Sequence, residues 1–481
     1  MTLRKQTFSG VRWTTFSAFG RAGLQLAQIT ILARLLTPAD FGLIAMVIAI
    51  MAFLQIFADA GISNAIIHYR DISQNQLSSL YWLNVGVSTS LVLMLAIIGP
   101  WAAVWYRQPD LRYLLLLAGL VLMLNALGQQ IRVVAQKKLR FSGLTKIELI
   151  AAVAGFTSAV CAAFMGAGVY SLFVGSIVTA GAGCLLVWGW LADGWRPQVR
   201  LQLKEIRPFL AFGGYMVGNN LANTFNMQVD VLLGGKILGI HAIGAYSVPK
   251  DLNLRIAGVI NPIVTQVGLP VMAKAQSDPS RLKRIYLQTL RMTSSVTFPI
   301  YVTLAIFAPE VVHLVLGKKW AASIPLLPLF ACWALVRSTG SQIGSLLMAR
   351  GRADLSFKWN MVWLGITPPV IWLGSHYGVA GMAVAMTGLV VAGYWPNWYF
   401  LVRPLCGARF GEYSLQMLVP LIISIVGGTV GYVCANLFVG DLPRLMTGMI
   451  LGGLVYIGLS LWFNRIWIEA MKELVAERSI L

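Results

Sequence analysis

The chain has 481 residues, 58% of them hydrophobic and only 11% charged, with a formal net charge of +20. A soluble protein of this length needs a charged surface to stay dispersed, so these proportions exclude one. The five cysteines (Cys161, Cys184, Cys332, Cys406 and Cys434) lie far apart, four of them in apolar runs, which excludes a disulfide framework and a thiolate metal centre.

The apolar residues arrive in blocks of about 20, the length that crosses a hydrocarbon core of about 30 Å. In chain order the predicted spans are 11–33, 42–67, 78–104, 112–134, 146–167, 170–192, 209–234, 242–266, 290–310, 323–348, 357–375, 379–402, 414–438 and 444–464. Leu282–Arg291, ahead of the ninth, reads equally as a loop or an interfacial helix. The run Val11–Ala33 is long enough to span and does not resemble a cleavable signal peptide. If the N-terminus is cytoplasmic, this ladder puts 25 Lys and Arg on the cytoplasmic side and 7 outside. That asymmetry predicts both termini inside and accounts for most of the net charge without a nucleic-acid partner.

Five basic residues fall within predicted spans: Arg21, Arg132, Lys250, Arg255 and Arg337. By these spans Arg21, Arg255 and Arg337 lie close to the midplane. An arginine at a helix centre costs about 2.5–3.5 kcal/mol even on the lenient insertion scale, so five facing lipid would cost about 15 kcal/mol. They must face water, an acid or an anionic ligand. Two readings stay open for the acids nearby: Asp251 neutralises Arg255 four residues on, and Asp59 pairs with Arg21, or these arginines serve a ligand. The predicted acids within spans are fewer than the bases, so a hydrated, net-cationic cavity remains.

Self-comparison shows a repeat. Arg34-Leu35-Leu36, five residues and Gly42 match Lys236-Ile237-Leu238, five residues and Gly244, an offset of 202. The same offset relates the polar stripe Ser17, Arg21, Gln25 and Gln28 of the first helix to Asn219, Asn223, Met227 and Asp230 of the seventh, where Asn226 adds to it. It also relates Asp59, beside Gly61, to Asn261, beside Pro262. At an offset of 212, Gly128-Gln129-Gln130-Ile131 matches Gly340-Ser341-Gln342-Ile343. The fold expected is an all-α polytopic membrane protein of about fourteen transmembrane helices. Two pseudo-symmetric six-helix lobes, 1–205 and 206–402, surround a central cavity, and 403–481 holds two extra helices and a cytoplasmic tail.

The residues assigned to an anionic group are Arg21, Lys250, Arg255 and Arg337. Gln25, Gln28, Asn219, Asn223, Asn226 and Asn261 supply the donors and acceptors that sugars engage, or hydrogen-bond neighbouring helices. Asp59, Asp230 and Asp251 are candidate proton or sodium sites, equally candidate salt-bridge partners. Gly427/Gly431 and Gly448/Gly452 read as helix-packing pairs, and Trp101, Trp105, Trp188 and Trp190 as an interfacial belt. No phosphate-binding glycine loop, zinc motif or nucleophile signature occurs, so no cofactor or metal is expected.

Several longer stretches carry a resemblance: TLRKQTFSGVRW at the start, LYWLNVG at Leu80–Gly86, GQQIRVVAQKKLRF at Gly128–Phe141, NPIVTQVGLP at Asn261–Pro270 and GSQIGSLLMARGRADLSFKWN at Gly340–Asn360. Over most of its length the chain resembles the Wzx-type polysaccharide exporters, colanic-acid exporters in particular, of the multidrug/oligosaccharidyl-lipid/polysaccharide superfamily. The resemblance implies a non-enzymatic flippase in the bacterial inner membrane. It would carry an undecaprenyl-pyrophosphate-linked repeat unit to the periplasmic leaflet by alternating access, for exopolysaccharide or lipopolysaccharide assembly. It implies that the cations of the first and eighth helices, here Arg21 and Arg255, serve the pyrophosphate. A coupling ion, H+ or Na+, and a monomer are expected. Two other readings compete: an ion-coupled multidrug exporter, which wants acids rather than bases in its cavity, and a membrane polysaccharide polymerase, which wants a large periplasmic loop that this chain lacks.

Overall fold

Backbone N–H and C=O groups find no partners in hydrocarbon, and the chain satisfies them within helices: no strand occurs among the described residues. The structure, a computed structural model, describes residues 20–59, 62–68, 72–199, 201–464 and 467. Ser17, Gly61 and the side chains of Asn219 and Pro262, all invoked above, lie outside the described residues. Eight described helices are long and apolar enough to cross a membrane, or nine if one bent pair is a single span. The protein is a multi-pass membrane protein. It divides into two compact units, Met1–Gly244 and Ala245–Leu481.

The first unit holds α1 (20–35), α2 (Pro38–Asp59), α3 (Ile62–His68), α4 (Gln74–Tyr106), α5 (Leu111–Lys137), α6 (Phe141–Phe164), α7 (Tyr170–Leu191) and α8 (Leu203–Ile237), with the start of α9 (Ile240–Lys274). Ser73 opens α4 by accepting the Gln76 N–H, while the Gln76 side chain accepts the Ser73 N–H at 3.0 Å. The core is aliphatic, with Met46, Leu95, Leu111, Leu114 and Leu115 almost fully buried. Beyond α7, Asp193 accepts from Arg140 at 2.7 Å and Lys138 at 3.4 Å. The bond from Arg140 is the main reason that its carboxyl titrates below the ordinary aspartate range.

The repeat has a physical counterpart here. A Cβ added to Gly42 would run into the carbonyl of Ile240, and one added to Gly244 into the carbonyl of Pro38. Residues 38 and 240 are themselves one repeat apart, so the two contacts are reciprocal, and both positions require glycine because backbone meets backbone. The 212-residue match is echoed too. Gln130 of α5 is buried and donates to the Leu77 carbonyl of α4 at 3.2 Å. Gln342, also buried, lies 2.8 Å from the Thr293 hydroxyl.

The second unit continues α9 and adds α10 (Pro279–Ile306), α11 (Ala308–Val311), a π-turn and a 3-10 turn, α12 (Leu326–Ser338), α13 (Gly340–Ala349), α14 (Ala353–Ser375), α15 (Gly378–Ala392), α16 (Tyr394–Asn397), a π-turn (Trp398–Val402), α17 (Arg403–Cys406), α18 (Phe410–Ala435) and α19 (Asp441–Phe463). Several boundaries differ from expectation: the span expected at 42–67 is divided between α2 and α3, and that at 379–402 among α15, α16, a π-turn and α17. Leu282–Arg291 belongs to α10, which starts at Pro279 because Asp278 accepts the Ser280 and Arg281 N–H groups. The span expected at 323–348 is broken at Thr339, where Ser338 and Thr339 turn their hydroxyls back onto the Leu335 and Val336 carbonyls.

After α10 the chain bends by 85° into α11. The corner is held by charge: buried Glu310 lies 3.3 Å from Arg444 of α19, which also donates to Asn436 at 2.6 Å. His313 faces Asp441 at 3.3 Å. Deeper in this unit, Arg291 of α10 is 5% exposed yet fully engaged. Its Nε donates to Asn464 Oδ1 at 2.7 Å, Nη1 to the Leu415 carbonyl at 3.0 Å and Nη2 to the Phe463 carbonyl at 3.1 Å. The last of these places a guanidinium on the carbonyl end of α19, where the helix dipole favours a cation. Helices α18 and α19 cross at the anticipated glycines: a Cβ on Gly427 would lie 2.8 Å from the Gly452 carbonyl.

Gly452→Leu should therefore lower the stability of the detergent-solubilised protein by about 1–3 kcal/mol, read from thermal unfolding, since the added side chain has no space. Arg291→Ala should cost about 1–3 kcal/mol, because Asn464 Oδ1 and the Phe463 carbonyl lose their donor in a buried place, and α19 should become the first segment open to proteolysis.

Candidate substrate site

The cations singled out in the sequence are distributed over both units. In the first unit, Arg21 stands near the described start of α1, its side chain 43% exposed, with Nη1 3.1 Å from Glu148 Oε2 of α6. The same carboxylate acts electrostatically on Arg132 of α5. Arg132 lies over Gly183 of α7, where a Cβ would come within 2.5 Å of Nη2. Glu148 pairs with Arg21 and lies within electrostatic range of Arg132, so the three residues together carry a net positive charge. Gln25 (exposed) and Gln28 (half-buried) follow Arg21 at helical spacing along one face of α1.

Magnitude decides what this pair is for. An ion pair whose members are each about 40% exposed contributes about 0.2–1 kcal/mol, because water screens it and two side chains must be ordered. It is too weak to be the reason that α1 holds its place. It suffices to neutralise Arg21 while leaving the guanidinium able to change partner.

Arg21 does not pair with Asp59, one of the two readings offered by the sequence. The Asp59 carboxylate is occupied locally, accepting the Ser63 hydroxyl and, at 3.4 Å, the Ser63 N–H. Gln129 of α5 donates to that hydroxyl at 3.0 Å, so Asp59 ties α2, α3 and α5 together. On α8, Asp230 is fully buried and accepts the Val231 N–H at 2.9 Å. Asn226 is half-buried and Asn223 exposed.

In the second unit, α9 carries Lys250 (2% exposed) among buried Tyr246, Ser247 and Asn253. Asp251 and Arg255 follow, half-buried and one turn apart, with half-buried Asn261 further on. Arg337 stands exposed on the last turn of α12, its guanidinium 5.3 Å from the centre of the Trp333 ring. The structure brings together Arg21 and Glu148, with Arg132 within their electrostatic range, whereas Lys250, Asp251 and Arg255 share α9 as sequence neighbours. Glu148 was missed. The available signal was an acid inside the expected span 146–167. No group of three metal-ligating side chains occurs among the described residues.

Residues 31–325 match the family described as polysaccharide biosynthesis protein. Over 443 residues the chain is 30% identical to the lipopolysaccharide biosynthesis protein WzxC of Escherichia coli K12, spanning 92% of this chain and 90% of that one. Among solved structures it is similar to the lipid II flippase MurJ in an inward closed conformation, with a TM-score of 0.75 at 14% identity over 95% of this chain and 100% of MurJ. A variant of the MATE transporter VcmN of Vibrio cholerae matches with a TM-score of 0.60 at 16% identity, over 85% of this chain and 98% of that one. At these identities the two likenesses are of fold.

A double-mutant cycle on Arg21→Ala and Glu148→Ala should return a coupling of about 0.2–1 kcal/mol in thermal unfolding. A coupling of several kcal/mol would make the pair a structural clamp instead.

Proposed function

Because the chain belongs to the polysaccharide biosynthesis protein family, we propose that it is a flippase carrying a lipid-linked oligosaccharide, an undecaprenyl-pyrophosphate-linked repeat unit, across the bacterial cytoplasmic membrane. The observation that carries this reading is the cationic cluster around Arg21. Its neutralising partner, Glu148, is half-exposed and also within electrostatic range of Arg132. A pyrophosphate brings more negative charge than one carboxylate and presents several oxygens to the planar guanidinium, so it can displace Glu148 without leaving Arg21 uncompensated. Arg255 and Lys250 on α9, and Arg337 on α12, would take the anion from the second half of the chain. Gln25, Gln28, Asn219, Asn223, Asn226 and Asn261 would meet the sugars.

In this reading, lobes 1–205 and 206–402 rock about a central cavity to open it alternately to either leaflet. The fourteen-helix ladder is completed by the two helices of 403–481. Both termini are cytoplasmic, which the asymmetry of 25 against 7 basic residues supports. The protein works as a monomer. Asp230 and Asp251 would bind a coupling proton or sodium ion, while Asp59, tied to Ser63, is the weaker candidate. The fold is shared with MATE transporters, which favours a second reading as a drug exporter. Organic cations want an acidic cavity, and the excess of bases argues against it.

Purified protein in liposomes, supplied with a pyrophosphate-linked oligosaccharide, should deliver the sugar to the opposite leaflet. Arg21→Ala and Arg255→Ala should each slow delivery at least tenfold while the protein remains folded. Wild-type protein that moves an organic cation but not the lipid-linked sugar would favour the exporter.

A further inference from the structure

The joint between α17 and α18 links two runs that each have the length and apolarity of a membrane span, Gly378–Cys406 and Phe410–Ala435, so it lies at a membrane surface. It contains a cleft of about 480 Å³ lined by Trp398, Arg403, Gly407, Ala408, Arg409 and Phe410. Its walls combine cationic and aromatic groups. The Arg403 guanidinium lies 5.8 Å from the Trp398 ring centre and 5.6 Å from that of Tyr399. Trp398 is fixed by donating its indole N–H to the Ala408 carbonyl at 2.9 Å, and its ring meets Phe410 edge-on at 5.1 Å. Arg403 and Arg409 are both exposed.

The end of α18 adds to this. Its N-cap residue is Arg409, a side chain with no acceptor to give the first-turn N–H groups, so the positive end of a 26-residue helix faces the same place. The nearest acid, Glu412, is already committed to Lys283 at 3.0 Å and to the Arg409 N–H at 2.9 Å. Arg350 is nearby and donates to the Leu405 carbonyl at 3.0 Å. With Arg403, Arg409, Lys283 and Arg350 set against Glu412, the joint keeps a net charge of about three positive units. Around the cleft, Trp395, Tyr399, Phe400 and Phe410 expose their rings, and Trp395 stacks on Tyr399 at 5.2 Å. Exposed rings beside arginines at a membrane surface match a phospholipid, whose phosphate sits at the depth of the guanidiniums and whose chains run down past the aromatics.

We propose that this cleft binds the headgroup phosphate of an anionic phospholipid of the surrounding bilayer. It is a resident lipid site separate from the cation cluster assigned to the transported pyrophosphate. Arg403 and Arg409 hold the phosphate, Trp398 and Tyr399 fix the Arg403 plane, and the α18 N-terminus completes the positive field. The proposal does not depend on the flippase reading, since retention of a lipid is measured without transport.

The test is native mass spectrometry of the full chain released from nanodiscs of phosphatidylcholine containing about one-fifth phosphatidylglycerol. Wild type should retain phosphatidylglycerol over phosphatidylcholine. The double variant Arg403→Ala/Arg409→Ala should lose that preference about tenfold, Arg403→Lys should keep part of it, and Arg352→Ala, an arginine ion-paired to Asp354 outside the cleft, should leave it intact. An unchanged preference in the double variant, confirmed as folded by size-exclusion chromatography, would overturn the site. Displacement of phosphatidylglycerol by undecaprenyl pyrophosphate, abolished in the double variant, would make the cleft a substrate site and overturn the proposal too. Failure of sugar translocation in the same lipids, with retention as expected, would count against the flippase reading alone.

Discussion

Hydrocarbon offers no hydrogen bonds, and that single constraint accounts for most of this structure. It demands helices for the backbone, and it demands a named partner for every charge that enters the bilayer. Arg291 meets the demand with three acceptors, Glu310 with Arg444, and Arg21 with Glu148. These solutions differ in strength, and the difference separates a locked network from an exchangeable pair. A guanidinium 5% exposed and bound on three sides cannot exchange its partners cheaply. One that is 43% exposed and bound to a half-exposed carboxylate can.

Much of the fold was legible because its cause is local. Apolar length marks a span wherever it occurs, so α5, α6, α7, α18 and α19 lie near their expected places. Gly42 and Gly244 could be matched by repetition, and Gly427/Gly431 and Gly448/Gly452 marked as packing pairs by spacing, since a missing side chain is visible in the sequence; that Gly427 meets Gly452 is seen only in the fold. What escaped was long-range. Arg291 was counted as a topology charge because it stood at the edge of a predicted span, and its partner lies 173 residues away with no pattern to join them. Glu148 escaped because Asp59 was the acid nearer to Arg21 in sequence. The hydroxyl of Ser63 had already claimed Asp59, and only coordinates show that competition.

The candidate site was partly legible for the same reason. Cations inside apolar runs announce themselves, so Arg21, Lys250 and Arg255 needed no structure to be found. Their surroundings did. Lys250 proved deeply buried, Arg337 exposed over an indole, and Asp230 engaged with a neighbouring N–H. Chemistry-bearing residues can be found one at a time, whereas the competition among them is a property of the folded chain.

The Arg291 network also bears on how the protein is made. Helix α10 leaves the ribosome long before Asn464 exists, and until α19 arrives its guanidinium lacks both the Asn464 amide and the Phe463 carbonyl. A chain stalled or truncated in that interval carries this arginine with two of its three acceptors missing, at the edge of a span where only water or headgroups can replace them. Arrival of α19 thereby completes the acceptors of Arg291, so the second unit gains this network only late in synthesis.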